Sequence, residues 1–146
     1  MDAKGVQQIF DWLWSSGQLS AQDIALLPEL GIKVVVNLAL PTSSNALPGE
    51  AELVARQGIA YMHIPVSWEQ PEIYRLRQFF GLLKAFEGQK VWVHCAMNMR
   101  ASTFIYLYRR ICLKEREEEA ILPLQAVWEP NETWRSFIQN ALGMEL

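Results

Sequence analysis

Between Lys90 and Leu113 the chain runs from a short apolar stretch, Val91-Trp92-Val93, through His94 and Cys95 into a brief loop. It then enters a segment where Phe104, Ile105, Tyr106, Leu107, Tyr108 and Ile111 leave almost no polar stripe. The first stretch predicts a buried strand over Lys90 to His94, and the last a central helix over Ala101 to Leu113 that is enclosed on nearly every side. A chain whose middle strand and following helix are both buried must cover them with further layers.

The rest of the sequence supplies those layers. Ser20 to Leu30 reads as a helix with Ser20 as N-cap, Asp23 three residues on and Gly31 past its end. Lys33 to Leu38 is a strand, Pro41 to Pro48 a loop, Glu50 to Gln57 a short helix stopped by Gly58, and Ala60 to Val66 a second strand. Pro71 opens a helix carrying Ile73, Leu76, Phe79, Phe80, Leu83 and Phe86 until Gly88 ends it. Two helices, Glu117 to Ala126 and Glu132 to Leu142, close the chain. Strands alternating with helices imply an α/β fold: a single domain over 1–146, with a mostly parallel central sheet flanked by helices and ligands at the carboxyl ends of the strands.

At 146 residues the chain fits one domain with one full core. A formal charge of -3 gives no footprint for nucleic acid, and the run Lys114 to Glu119 is a solvated surface. No apolar run approaches the ~18 residues that span a bilayer, and no leader pattern opens the chain. The expectation is a soluble, cytoplasmic protein without membrane or nucleic-acid partners. With only two cysteines, Cys95 and Cys112, a disulfide framework or a metal site has too little material, so no metal or cofactor is expected. Cys112, on the apolar helix, reads as inert core.

Cys95 is placed differently, where a strand ends and a helix is about to begin. Free backbone N–H groups and the positive end of the helix dipole favour an anion there by roughly 0.3–2 kcal/mol, and the same field favours a thiolate. A thiolate is a nucleophile, and an arginine beside it can fork onto two phosphate oxygens. Cys95 is therefore expected to be an accessible, reactive thiol.

His94-Cys95, with Asn98, Arg100 and Ser102 after it, resembles the signature of the protein tyrosine and dual-specificity phosphatases: His-Cys, five residues, Arg, then Ser or Thr, with glycine three residues after the cysteine. Ser102 sits at the hydroxyl position, and Asn98 stands for the glycine, a tolerable exchange because Asn enters left-handed backbone readily. Cys95 to Arg100 is one step shorter than the signature, so Ala101 fills the arginine position. This leaves two placements open: Arg100 reaches the pocket, or it points elsewhere and leaves only backbone donors.

The resemblance extends over about residues 14–113, through Ser16-Gly17-Gln18, Lys33 to Leu38 and Tyr61 to Val66, as in short bacterial phosphatase domains of the beta-lactamase-hydrolase-like type. It implies catalytic roles for Cys95, Arg100 and Ser102, and a phosphate cradle from Ala96, Met97, Asn98, Met99, Arg100 and Ala101, with His94 orienting the loop. The usual acid is an aspartate about thirty residues earlier, and Asp2, Asp11 and Asp23 all lie too far back. Glu69 is the nearest substitute and Glu72 the next.

His63 reads as a structural histidine, and Trp128 and Trp134, around an Asn131 helix cap, as packing residues. Three functions stay open. Hydrolysis of a phosphate monoester on a small molecule or phosphoprotein comes first, weakened by the shortened loop. A non-catalytic anion-binding domain is second. Rhodanese-like sulfur transfer is third, because rhodanese loops share the spacing of Cys95 to Arg100.

Overall fold

The computed structural model describes residues 1–144. Its frame is a five-stranded sheet in the order β1-β2-β5-β3-β4, formed by β1 (Gln7–Phe10), β2 (Leu13–Ser16), β3 (Ile32–Asn37), β4 (Ala60–His63) and β5 (Lys90–His94). All neighbours run parallel except the β1–β2 hairpin. Six helices accompany it: α1 (Ala21–Leu26), α2 (Glu50–Arg56), α3 (Ile73–Ala85), α4 (Met99–Ile111), α5 (Glu117–Val127) and α6 (Glu132–Leu142). This is the α/β architecture expected, with a mostly parallel sheet.

The period of two along the strands divides the core between the sheet's two faces. Val34, Val36, Val91 and Val93 join the larger cluster with α3, α4 and α6 residues such as Phe79, Phe104 and Trp134. Val35 and Trp92 face the opposite way, with Trp14, Ile24, Leu27 and Val54. Ile32 shares a cluster with Val35 despite its odd spacing, because the β3–β5 register shifts between Ile32 and Val34. Burying each such side chain contributes roughly 1.5–3 kcal/mol.

The capping box predicted for α1 is present, with Ser20 Oγ accepting from Asp23 N and the Asp23 carboxylate from Ser20 N. Pro28 follows, so the end of this helix tightens into a 3-10 turn over Leu27–Leu30 before Gly31 closes it in left-handed backbone at φ 77. β4 stops at His63, short of the predicted Val66, while Ile64 and Val66 still donate to the Asn37 and Leu38 carbonyls. The β1–β2 hairpin carries no legible alternation, and its strands have four residues each.

Two expectations about cysteines are corrected. Cys112 is exposed, because α4 ends at Ile111 and Cys112 is its C-cap, beyond the enclosed turns. Cys95 is fully buried in the resting chain, packed into the larger core cluster. Partial desolvation at the end of α4 raises the Cys112 thiol pKa, with nearby Lys114 opposing. No described helix is long and apolar enough to cross a membrane.

Candidate active site

The parallel strands β3 and β5 end side by side, Asn37 paired with His94, and the chain leaves β5 into a loop of four residues before α4 begins. Asn98, at the position the signature gives to glycine, adopts φ 65, the left-handed backbone that asparagine tolerates. That turn starts α4 two residues earlier than its apolar pattern shows. The first amides of a 13-residue helix therefore lie next to Cys95, and Ala101 N donates to Cys95 Sγ at 3.4 Å.

The loop's carbonyls are tied outward. Ala96 O accepts from Gln18 N and from Asn45 Nδ2, each at 3.0 Å, and Cys95 O faces His94 Nδ1 at 3.3 Å. In a planar trans peptide the C=O and N–H point opposite ways, so these anchors turn the Ala96 and Met97 N–H groups away from them. Gly17 is required for this approach: a Cβ there would meet Ala96 O at 2.8 Å. Asn98 Nδ2 donates to Gly5 O at 2.8 Å and Ser15 Oγ at 3.1 Å, fixing the loop's other side to the N-terminal segment and β2.

Arg100 is buried, and its Nη1 donates to Val66 O at 2.9 Å. In the resting chain it therefore braces the loop that follows β4. Ala101, which fills the signature's arginine position, is fully buried in the core and has no outlet for a long side chain. The Ser102 hydroxyl donates back to Met99 O at 3.1 Å, as Thr103 does at 2.8 Å.

Behind the loop lies a buried polar group that the sequence reading missed. His94 Nε2 bonds Glu50 Oε2 at 2.7 Å, Gln18 Nε2 donates to Glu50 Oε1 at 2.6 Å, and the Tyr61 hydroxyl lies near the Glu50 carboxylate. Burial pushes the Glu50 pKa up, but the bond to His94 and its positive charge, together with Gln18 and Tyr61, bring it below the ordinary value. Burial pushes Tyr61 up to about 12, aided by the Glu50 charge and opposed by the Asn37 amide, which donates to its hydroxyl at 2.9 Å. The available signal for Glu50 was slight: an acidic residue at a helix start that is an ordinary first-turn preference.

Glu69 and Glu72 are exposed on the loop after β4. Trp68 O accepts from Trp134 Nε1 at 2.9 Å, and Trp68, Trp128 and Trp134 pack on one another with centroids 5.2–6.2 Å apart, which anchors the residue before Glu69. Trp134 is core, as expected, whereas Trp128 is half-buried. His63 is exposed, and its Nε2 bonds Ala39 O at 2.7 Å. Among the described residues no group of three or more His, Cys, Asp or Glu is placed to hold a metal ion.

Comparison with known proteins agrees with this architecture. A structure from Shewanella putrefaciens CN-32, of a DUF442 protein given a provisional phosphatase description, is 30% identical, with a TM-score of 0.87 over 96% of this chain and 92% of that one. Tk-PTP in its active form shares the fold at 15% identity and a TM-score of 0.80, covering 94% of this chain and 96% of that one. So does P. aeruginosa TpbA in complex with pTyr, at 17% identity and a TM-score of 0.72 over 94% and 88% of the two chains. No curated protein sequence matches the chain. The family model described as "DSP-PTPase phosphatase fused to NAD+ Kinase" matches residues 4–139, and the chain belongs to that family of phosphatase domains.

Proposed function

We propose that this domain hydrolyses phosphate monoesters through Cys95. The observation that carries the reading is the Ala101 N–H donated to Cys95 Sγ at 3.4 Å across the start of α4. It puts the thiol where helix amides converge and an anion is favoured. In the first step the Cys95 thiolate forms an S–P bond as the P–O bond to the leaving group breaks, and the leaving oxygen takes a proton from Glu69 or from water. In the second step water attacks phosphorus, the S–P bond breaks and inorganic phosphate departs. The amides of Ala96, Met97, Asn98, Met99, Arg100 and Ala101 hold the equatorial oxygens, and Arg100 adds its fork once it leaves Val66.

An aryl phosphate, as in phosphotyrosine, is the proposed substrate class, because an aryl leaving group needs little protonation and the loop after β4 carries no aspartate. The pTyr held by the structurally similar TpbA supports that choice. Turnover is proposed to be weak because Arg100 rests on Val66. The same contact favours a second reading, an anion-binding domain without turnover. Family membership leaves the sulfur-transfer alternative without support. Hydrolysis of para-nitrophenyl phosphate by the wild type, and its loss in Cys95→Ser, tests the proposal; equal rates in both would overturn it.

A further inference from the structure

Resting on the reading of Cys95 as nucleophile, we propose that Glu50 is a positioning residue for it, a carboxylate that holds the His94 ring and a positive charge against the first peptide of the loop. His94 is fully buried and Glu50 is 5% exposed. Both nitrogens of the ring face acceptors, Nδ1 the Cys95 carbonyl at 3.3 Å and Nε2 the Glu50 carboxylate at 2.7 Å. A neutral imidazole has one N–H, so only the doubly protonated ring can donate at both ends. A cation enclosed in this way needs a paired anion, and Glu50 provides it from α2, 44 residues away in sequence.

The pair has direction as well as charge. Its positive end lies beside the Cys95 peptide and its negative end points away, toward Gln18 and Tyr61. The other titratable or charged groups around it are few. Tyr61 from β4 stays neutral, being held up to about 12, and Arg100 from α4 directs its guanidinium to Val66 O. Removing the Glu50 charge while keeping its shape leaves the ring without a counter-ion, so it gives up one proton. The positive charge beside Cys95 goes with it, and the thiolate loses that support.

The test uses the full chain in a Cys112→Ser background, so that the ultraviolet absorbance of the thiolate reports Cys95 alone, with no reagent having to reach the buried thiol. Glu50→Gln is expected to move the midpoint of that absorbance against pH upward by about one unit, making the thiolate fraction about tenfold smaller below it. Tyr61→Phe removes the hydroxyl near Glu50 but keeps the carboxylate, and is expected to leave the midpoint in place. A purely structural role for Glu50 would lower Tm in both variants without moving either midpoint. Coincident midpoints for Glu50→Gln and its parent, or a downward shift, would overturn the proposal. Histidine nitrogen NMR of the wild type needs no variant: His94 is expected to show the imidazolium pattern at neutral pH, and a neutral tautomer would also overturn it. These readouts require no turnover, so an inactive wild type would sink the hydrolase reading while the role of Glu50 is judged separately.

Discussion

Arg100 Nη1 donates to the Val66 carbonyl oxygen at 2.9 Å, which ties the first turn of α4 to the loop carrying Glu69. Whatever draws the guanidinium toward an anion releases that carbonyl, so loop position and anion binding are coupled at one contact. Arg100→Ala is expected to lower kcat/KM for aryl phosphates about 10²–10³-fold, the range seen when one oxyanion donor is lost. It should also destabilise the fold by about 1–3 kcal/mol through the unpaired Val66 oxygen. Arg100→Lys, which keeps the charge and loses the fork, should recover only part of the rate. Steady-state kinetics with denaturant unfolding checks both effects, and an unchanged rate in Arg100→Ala would favour the binding-only reading.

Restoring the signature register with Ala101→Arg is expected to fail, because Ala101 is fully buried in the core. A guanidinium there has neither room nor a partner, and the variant should be recovered unfolded or with a Tm far below that of the wild type. A folded and more active Ala101→Arg variant would show that this turn of α4 can slide.

Inorganic phosphate is expected to raise Tm, while leaving the iodoacetamide labelling of exposed Cys112 unchanged. At a hundredfold excess over Kd the linkage is about 2.7 kcal/mol, or about 5–10 °C for a domain of this size. Differential scanning fluorimetry and peptide mapping read the two effects. A shift that persists undiminished in Gly17→Val, where a Cβ would strike Ala96 O at 2.8 Å and displace the loop, would place the binding elsewhere.

The lowered Glu50 carboxyl gives a signed dependence on pH. Its pKa in the fold lies below its ordinary value of 4.5, so the unfolded chain binds the extra proton first. The stability it contributes is complete above that ordinary value and is lost as pH falls through the lower value in the fold. Urea unfolding across this acid range should show a shallower loss for Glu50→Gln than for the wild type; parallel curves would contradict the assignment.

Glu69→Gln is expected to lower the hydrolysis of alkyl phosphates by at least about tenfold and of para-nitrophenyl phosphate only slightly, because protonation matters in proportion to leaving-group basicity. Equal losses on both substrates would point to a structural effect through the neighbouring Trp68, whose carbonyl is held by Trp134.

Most of the frame was legible because it rests on local signals. The apolar run before His94, the capping box of Ser20 and Asp23, and the glycine stops each act within a few residues, and they were enough for α/β alternation and for Cys95 at a strand-to-helix turn. The left-handed turn at Asn98 was also readable, since few residues enter that backbone. What the sequence could not determine by itself was decided by contacts between distant segments. Arg100 chose Val66, 34 residues earlier, because a buried guanidinium must find an acceptor and a carbonyl in the loop after β4 was there to accept. Glu50 met His94 because α2 starts beside the end of β5, a juxtaposition that no local spacing encodes. Cys112 fell outside the core because α4 stopped one residue before it, and burial depends on where a helix ends against its neighbours rather than on its composition.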